Sequence, residues 1–153
     1  YVHSIHELND TTLWVSTVGE GIVKIILNKN GITPTVKSAT RIILDGGRLA
    51  SNYFFTSFQE NDSILWFGNR GYGAHRLNLE TGKFTPYKFD NIVNSQMTND
   101  IFAIYKNENG YWFATSSGLL HFNQEDSQHH NRLSCFQKIP HTAYWKINRI
   151  TSG

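Results

Sequence analysis

Cysteine and proline are scarce in this sequence, and neither basic nor acidic residues predominate. It has one cysteine, Cys135, and three prolines in 153 residues. A single cysteine excludes an internal disulfide and a zinc site built on cysteine pairs. The 14 basic and 12 acidic residues are scattered and give a net charge of +2, whereas nucleic acid binding needs a clustered basic face. No run of about 18 apolar residues is present, so the sequence predicts no transmembrane helix.

Patterns that would indicate a catalytic or cofactor site are also missing. Seven histidines are present, but no two are spaced as His-x-x-x-His, and His129 and His130 lie in a polar segment without an accompanying carboxylate pattern. The glycine-rich run GNRGYG at 68–73 lacks the Lys-Ser/Thr and the helix that follow in a phosphate-binding loop. We therefore expect no catalytic residue, no metal site, no cofactor and no nucleic acid partner in this segment.

Aromatic residues, in contrast, are abundant at 14% of the chain, and they recur with a period. The segments LWVSTVGEGIVKI, LWFGNRGYGAHRL and YWFATSSGLLHF begin at Leu13, Leu65 and Tyr111. Each has a tryptophan in second place, then an apolar residue, a small residue, a glycine-bearing turn and an apolar–basic–apolar run. The tryptophans are 52 and 46 residues apart. Internal repeats of this length are typical of solenoids and propellers.

Each repeat contains four short strand-like runs bounded by Asn, Asp and Gly. Four strands in such a period match one blade of a β-propeller. The sequence therefore predicts an all-β fold, a partial β-propeller of about three four-stranded antiparallel blades cut from a longer protein. The expected blades are residues 1–49, 50–97 and 98–146, followed at 147–153 by the first strand of a further, truncated blade.

The repeated tryptophans and glycines have a structural interpretation. We expect each tryptophan to pack between neighbouring blades and each glycine to shape the turn between the second and third strands. A basic residue follows each glycine by three positions, and we expect it to be solvated or packed along its stem. The structural residues are Trp14, Trp66, Trp112, Gly21, Gly73 and Gly118, and the basic residues are Lys24, Arg76 and His121.

The second repeat resembles the two-component regulator propeller repeat. That family has a pattern like L-W-I-G-T-x-x-G-G-L-x-R-Y followed by T-G-x-F-x-x-Y. The segments Leu65–Gly68, Gly73–Leu77 and Thr81–Tyr87 are similar to this pattern. The outer part of the first repeat, Ile32–Leu44, departs from it, and the third repeat has one residue fewer in its glycine turn.

The resemblance implies the periplasmic sensor region of a bacterial hybrid two-component system. In that family many blades precede a membrane helix and a kinase, and the ligands are typically oligosaccharides. The resemblance thus implies a non-catalytic sensor segment that binds an oligosaccharide, with kinase and regulator activities outside it. Its partners would be the remaining blades of a longer chain, a homodimer being a further assembly. It would meet the membrane only through segments outside this sequence.

Strand order predicts where a ligand would bind. In a four-stranded antiparallel blade, the loops after the second and fourth strands emerge on the same face, and binding sites on rigid scaffolds are usually built from loops. Asn, Arg and aromatic side chains offer a sugar hydrogen bonds, a charge partner and a stacking plane. The predicted ligand-binding residues on this face are Arg48, Asn52, Asn69, Arg70, Tyr72, Asn94, Trp145 and Arg149.

Two other functions fit the same sequence. Exposed Arg70, Tyr72 and Trp145 would also suit the centre of a protein–protein interface on a scaffold propeller. A propeller lyase or hydrolase would need a converging acid–base or metal set at the central channel, and blades outside this sequence would have to supply it. Binding assays on the intact sensor would separate these functions.

Overall fold

The computed structural model describes residues 1–44, 51–89, 99–122 and, by backbone alone, 136–139. These residues contain strands and turns and no helix, so none of them forms a helix that could cross a membrane. The strands are β1 (Val2–Asn9), β2 (Thr12–Thr17), β3 (Ile22–Asn28), β4 (Thr35–Ile42), β5 (Phe54–Asn61), β6 (Ile64–Asn69), β7 (Ala74–Asn78), β8 (Phe84–Tyr87), β9 (Ile101–Asn107), β10 (Gly110–Thr115), β11 (Gly118–Phe122) and β12 (Phe136–Ile139).

Each group of four consecutive strands forms one antiparallel sheet. The strand orders are β1-β2-β3-β4, β5-β6-β7-β8 and β12-β11-β10-β9. Neighbours in each sheet are also neighbours in sequence, so each sheet is a meander of hairpins. This confirms the predicted fold class, an all-β partial propeller of three four-stranded antiparallel blades. The further strand expected at 147–153 lies outside the described residues.

The turn between the first two strands has the same local cause in every blade. An asparagine five residues before the tryptophan accepts, through its side-chain oxygen, a hydrogen bond from the backbone N–H two residues on. This Asx turn reverses the chain without help from the rest of the fold. The three pairs, each at 3.0 Å, are Asn9 with Thr11, Asn61 with Ser63 and Asn107 with Asn109.

Neighbouring blades meet along their first strands, β1, β5 and β9. His3, Phe55 and Phe102 stand in a row across these strands, with successive ring centroids 5.3 Å and 4.9 Å apart. The hydroxyl groups of Ser4 and Ser57 lie 3.1 Å apart and link the first two blades. The first strands are therefore the inner strands around which the blades are arranged.

The tryptophans of the first two blades fill the junctions between blades. Trp14 is 4% exposed and contacts Phe67 of the second blade, with ring centroids 5.7 Å apart. Trp66 is 2% exposed and contacts Tyr111 and Phe113 of the third blade at 5.1 Å and 6.0 Å. Because an aromatic side chain of this size buries some 150–250 Å², these contacts are major apolar links between the blades.

The basic residue of each repeat lies directly opposite its tryptophan on the third strand. The ammonium of Lys24 is 5.6 Å from the centroid of the Trp14 ring, and the ring of His121 is 4.2 Å from that of Trp112. These cross-strand pairs stabilise each sheet. The paired positions are Trp14 with Lys24, Trp66 with Arg76 and Trp112 with His121.

Candidate functional site

The loop after the second strand of a blade is tied to the start of the next blade. The carbonyl oxygen of Asn52, just before β5, accepts hydrogen bonds from the N–H groups of Gly19 (2.8 Å) and Gly21 (3.0 Å). The carbonyl oxygen of Asn99, just before β9, accepts the equivalent bond from Gly73 at 2.9 Å. We call the surface on which these segments meet the loop face. Its described residues are 18–21, 51–53, 70–73, 88–89, 99–100 and 116–117.

The last residue of two of these loops has a backbone conformation that favours glycine. Gly21 and Gly73 have φ angles of +79° and +75°, a region that residues with a Cβ rarely adopt. A Cβ added at Gly73 would also lie 2.1 Å from the carbonyl oxygen of Tyr87. The loop between β6 and β7 is therefore held tightly against β8.

Asn69 anchors the same loop from inside the molecule. Its side chain is 0% exposed. The side-chain oxygen accepts a hydrogen bond from the backbone N–H of Ser51 (3.2 Å), and the side-chain nitrogen donates to the Ser51 carbonyl (2.9 Å). Both ends of the amide are thus used inside the protein, and Asn69 positions the loop.

Arg70 follows Asn69, and its backbone is fixed on both sides. Its N–H donates to the carbonyl of Tyr53 at 2.9 Å, and its carbonyl accepts from the hydroxyl of Ser51 at 2.9 Å. The guanidinium lies over the Tyr53 ring, with Cζ 5.5 Å from the ring centroid. An exposed cation–π contact contributes roughly 0.5–1 kcal/mol. Arg70 is therefore exposed but restrained at its backbone and at its side chain.

Tyr72, two residues further along the same loop, has a similar partner. The ammonium of Lys88, just after β8, lies 4.7 Å from the centroid of the Tyr72 ring. The loop between β6 and β7 is thus flanked by two pairs of a tyrosine ring and a cation. Such pairs can offer a ligand both a ring to pack against and a positive charge.

The predicted ligand-binding residues within the described part of the chain have different surroundings. Asn52 is exposed, although its backbone carbonyl holds the first loop, and Asn69 is buried. Arg70 and Tyr72 are brought together in one loop on the loop face. The other four predicted residues, Arg48, Asn94, Trp145 and Arg149, lie outside the described residues.

Tyr53 and Lys88 pair with Arg70 and Tyr72 on the loop face, but the sequence analysis did not predict them as ligand-binding residues. Tyr53 directly follows Asn52, and its bridge with Val18 joins the loop of the first blade to the second blade. Lys88 follows the last residue of β8, Tyr87, so strand order already assigns it to this face. Strand order could therefore have placed both residues on this face, but the sequence does not show at which residue each loop begins.

A second polar cluster lies away from the loop face, in the junction between the second and third blades. The side chain of Glu60 is 7% exposed. Its carboxylate accepts hydrogen bonds from Trp66 Nε1 (2.8 Å), from Lys106 Nζ (2.9 Å) and from the hydroxyl of Tyr111. Arg76 Nε lies 3.8 Å from the same carboxylate. The cluster joins a carboxylate of one blade to two side chains of the next.

The titration of this cluster indicates a structural role. Burial alone would raise the pKa of the Glu60 carboxyl, but the hydrogen bonds from Trp66, Tyr111 and Lys106 outweigh it and lower the pKa below the ordinary 4.5. Burial, followed by the nearby Glu60 carboxylate, raises the pKa of the Tyr111 hydroxyl far above its ordinary range. Neither group titrates near neutral pH, as a general acid or base would.

The described residues offer little for metal chemistry. No group of three or more His, Cys, Asp or Glu side chains among them is placed to hold a metal ion. His6 lies 2.9 Å from Gln59 Oε1, and His121 Nε2 lies 2.9 Å from the carbonyl oxygen of Asn109. The chemistry that the loop face offers is hydrogen bonding, stacking and charge pairing.

Solved structures similar to this chain are extracellular domains of bacterial signalling systems. One belongs to a candidate hybrid two component system from B. thetaiotaomicron, with a TM-score of 0.56 and 26% identity over 82% of this chain and 16% of that chain. Another belongs to a candidate one component system from the same organism, with a TM-score of 0.60 and 19% identity over 92% of this chain and 16% of that chain. No protein-family model and no curated protein matches the chain.

The two similarities support different conclusions, because their sequence identities differ. At 19% identity the second shows the fold alone, whereas the first combines a shared fold with 26% identity. The chain spans 16% of the length of either solved chain. It is therefore similar to a small part of each of these extracellular domains.

Proposed function

We propose that this chain is a non-catalytic part of the periplasmic sensor propeller of a bacterial two-component system. We assign its blades to the two-component regulator propeller repeat, and its ligand to the oligosaccharides, bound on the loop face. Kinase and response-regulator activities would belong to other parts of the signalling protein. The blades adjoining this segment would be its permanent partners.

The observation that carries the proposal is the likeness to the extracellular domain of the hybrid system. It extends over 82% of this chain at 26% identity. The fold, the repeat pattern around Trp66 and this likeness all point to the same kind of protein. Since fold alone does not define function, the ligand has to be argued from the site.

The loop face has the chemistry that sugar recognition needs. Tyr72 presents a ring within the loop of residues 70–73, Tyr53 presents one beside it, and Arg70 adds several N–H donors in one plane. Hydrogen bonds to Asn52 and Asn99 hold the loops in place before a ligand arrives. A site that is already rigid loses less entropy on binding.

Calorimetry with the full chain and a set of oligosaccharides tests the proposal. The variant Tyr72→Ala should weaken binding of the oligosaccharide that binds best by about 10-fold, because it loses a ring beside the loop. The matched control is Tyr105→Ala, which removes a ring that is 61% exposed on β9, away from the loop face. It should leave the affinity unchanged.

Two results would contradict the proposal. If no oligosaccharide binds while a protein from the same cellular compartment does, the chain is a protein interaction scaffold. If an oligosaccharide binds equally well to the Tyr72→Ala variant and loses affinity in the Tyr105→Ala variant, the ligand lies on the inner strands.

A further inference from the structure

Arg70 is restrained both at its backbone and at its side chain. Its N–H and its carbonyl are both hydrogen-bonded, to Tyr53 and to Ser51. The residue before it, Asn69, is completely buried and bonded to Ser51. The Tyr53 ring then restrains the guanidinium. Hydrogen bonds thus fix the backbone at Arg70, and one ring contact restrains its exposed guanidinium.

The described carboxylates of the loop face do not pair with this cation. The two described carboxylates there already have partners, since Glu20 lies 3.2 Å from Arg41 and Asp100 accepts a hydrogen bond from Ser116 at 3.0 Å. Arg70 forms no ion pair or side-chain hydrogen bond with any residue that the structure describes. Among the described residues, no carboxylate is paired with the positive charge that a ligand meets at this loop.

The ring contact leaves the guanidinium able to bind an anion. A cation–π contact occupies the face of the guanidinium or one of its N–H groups. The five N–H donors lie in the plane of the guanidinium, so most of them stay free to bind a ligand. Two parallel N–H donors match the two oxygens of a carboxylate or of a sulfate. The nearby ammonium of Lys88, which lies over Tyr72, adds a second positive charge beside the same loop.

We infer that the ligand of the loop face is an acidic saccharide, and that Arg70 binds its anionic group. This inference rests on the proposed function and specifies its ligand class. The anionic group is a carboxylate of a uronic acid or a sulfate ester, two sources of the same charge. Lys88 strengthens the attraction without providing the paired donors.

The experiment uses calorimetry of the full chain with three probes of equal length. The probes are a galacturonic acid trimer, a sulfated galactose trimer and a neutral galactose trimer. At least one acidic probe should bind at least 10-fold more tightly than the neutral one, and the preference should shrink as NaCl rises from 50 to 500 mM, because salt screens exposed charges. The tighter of the two acidic probes identifies the anionic group.

Variants then assign the contact to Arg70. Arg70→Gln should weaken the preferred acidic probe about 10- to 100-fold, because a charged hydrogen-bond pair is lost. Arg70→Lys should recover only part of this loss, since an ammonium cannot make the paired contact. Lys88→Gln should cause a smaller loss. Lys37→Gln, which removes an exposed cation from β4, is the matched control and should change nothing.

The possible failures can be told apart. Equal or tighter binding of the neutral trimer overturns the acidic ligand and leaves the sugar-binding function standing. Acidic binding that Arg70→Gln does not weaken, or that Lys37→Gln weakens as much, overturns the assignment to Arg70. If neither these trimers nor the wider set of oligosaccharides binds, both the inference and the proposed function are wrong.

Discussion

The junction between the first and second blades and the junction between the second and third have the same plan but differ in polarity. In the first, Leu8 packs against an apolar cluster that includes Trp14. In the second, the residue at the same place in the repeat is Glu60, whose carboxylate binds the indole N–H of Trp66 and the ammonium of Lys106. The same position therefore accepts an apolar or a charged side chain.

A β-bulge explains why this position points into the junction. Leu8 is the extra residue between Glu7 and Asn9 in the pairing of β1 with β2, and Glu60 is the extra residue between Gln59 and Asn61 in the pairing of β5 with β6. A bulge redirects the side chain of its extra residue. The same β-bulge thus occurs in the first two blades and directs an apolar side chain in one and a charged side chain in the other.

The tryptophan of each junction reflects the difference. Trp66 Nε1 has the Glu60 carboxylate at 2.8 Å, whereas the buried Trp14 Nε1 has no hydrogen-bond partner among the described residues. Both indoles are nevertheless almost completely buried. Ring packing is thus common to both junctions, and the hydrogen bond is an addition at one of them.

The largest expected effect is the loss of either indole. Trp66→Ala and Trp14→Ala should each lower the free energy of unfolding by about 3–5 kcal/mol, as expected for large-to-small changes in a core. Trp66→Ala should be the worse of the two, since it also removes a partner of buried Glu60. Urea unfolding at constant m measures both losses. A greater loss for Trp14→Ala would show that the polar cluster adds nothing to the second junction.

The loop glycines next to each junction allow a second comparison. Gly73→Ala should cost about 3 kcal/mol, because it combines an unfavourable φ with a Cβ only 2.1 Å from the Tyr87 carbonyl oxygen. Gly21→Ala should cost only about 1–2 kcal/mol, since its Cβ would lie 3.5 Å from the nearest atom.

Gly71→Ala is the matched control for these loop variants. Its φ is +79°, and no atom lies within 4 Å of the added Cβ, so it reports the conformational cost alone. Urea midpoints should place Gly21→Ala near this control. Equal losses at Gly21 and Gly73 would mean that the loop of the second blade relaxes away from β8.

The sequence predicted the parts of the structure that repeat. The period of Trp14, Trp66 and Trp112 predicts three four-stranded blades, and a tryptophan fills each of the two junctions that the structure describes. The asparagine that forms the first turn recurs five residues before each tryptophan and could have been predicted in the same way. Residues with the same structural role in every blade recur at a regular spacing in the sequence, and this makes them predictable.

The features that differ between blades could not be predicted. Glu60 finds Lys106 and Tyr111 only because a bulge points it into the junction, and the pairing of β9 with β10 has no bulge at the matching place. The contact of Arg70 with Tyr53 depends on where β5 begins. Both arise from strand register, which the sequence pattern defines only to within a residue or two.

Replacing the polar cluster of the second junction by uncharged residues tests how much the second junction depends on it. Glu60→Leu, which copies Leu8 of the first junction, should cost about 2–3 kcal/mol because Lys106 and Tyr111 lose their buried partner. Adding Lys106→Gln and Tyr111→Phe should reduce the loss to about 1 kcal/mol, since only the Trp66 indole N–H and the part-exposed Arg76 then lack the Glu60 carboxylate.

Urea unfolding of the single, double and triple variants gives the coupling energy of the cluster. The choice of Gln at 106 follows the first junction, where Gln59 occupies the equivalent strand position and lies 2.9 Å from His6. If the losses of the single variants simply add, Glu60 and its partners act independently, and the second junction does not depend on their pairing.

The smallest expected effect is the pH dependence of the second junction. The folded-state pKa of Glu60 is lowered, so its contribution is fully present above the ordinary 4.5 and is lost as pH falls through the lowered value. The folded-state pKa of Tyr111 is raised, so its contribution is present below the ordinary 10.0 and declines as pH rises above it. Urea midpoints of the wild type and of Glu60→Gln should therefore converge in acid, and those of the wild type and Tyr111→Phe in alkali.

An exposed carboxylate supplies the control for the acid limb. Asp10 is ion-paired with Lys29 at the surface, and this pairing lowers its pKa from the ordinary 3.8, yet water screens such a pair. Asp10→Asn should therefore change the acid dependence less than Glu60→Gln does. If the two variants change it equally, burial in the junction gives the Glu60 carboxylate no advantage over a surface ion pair.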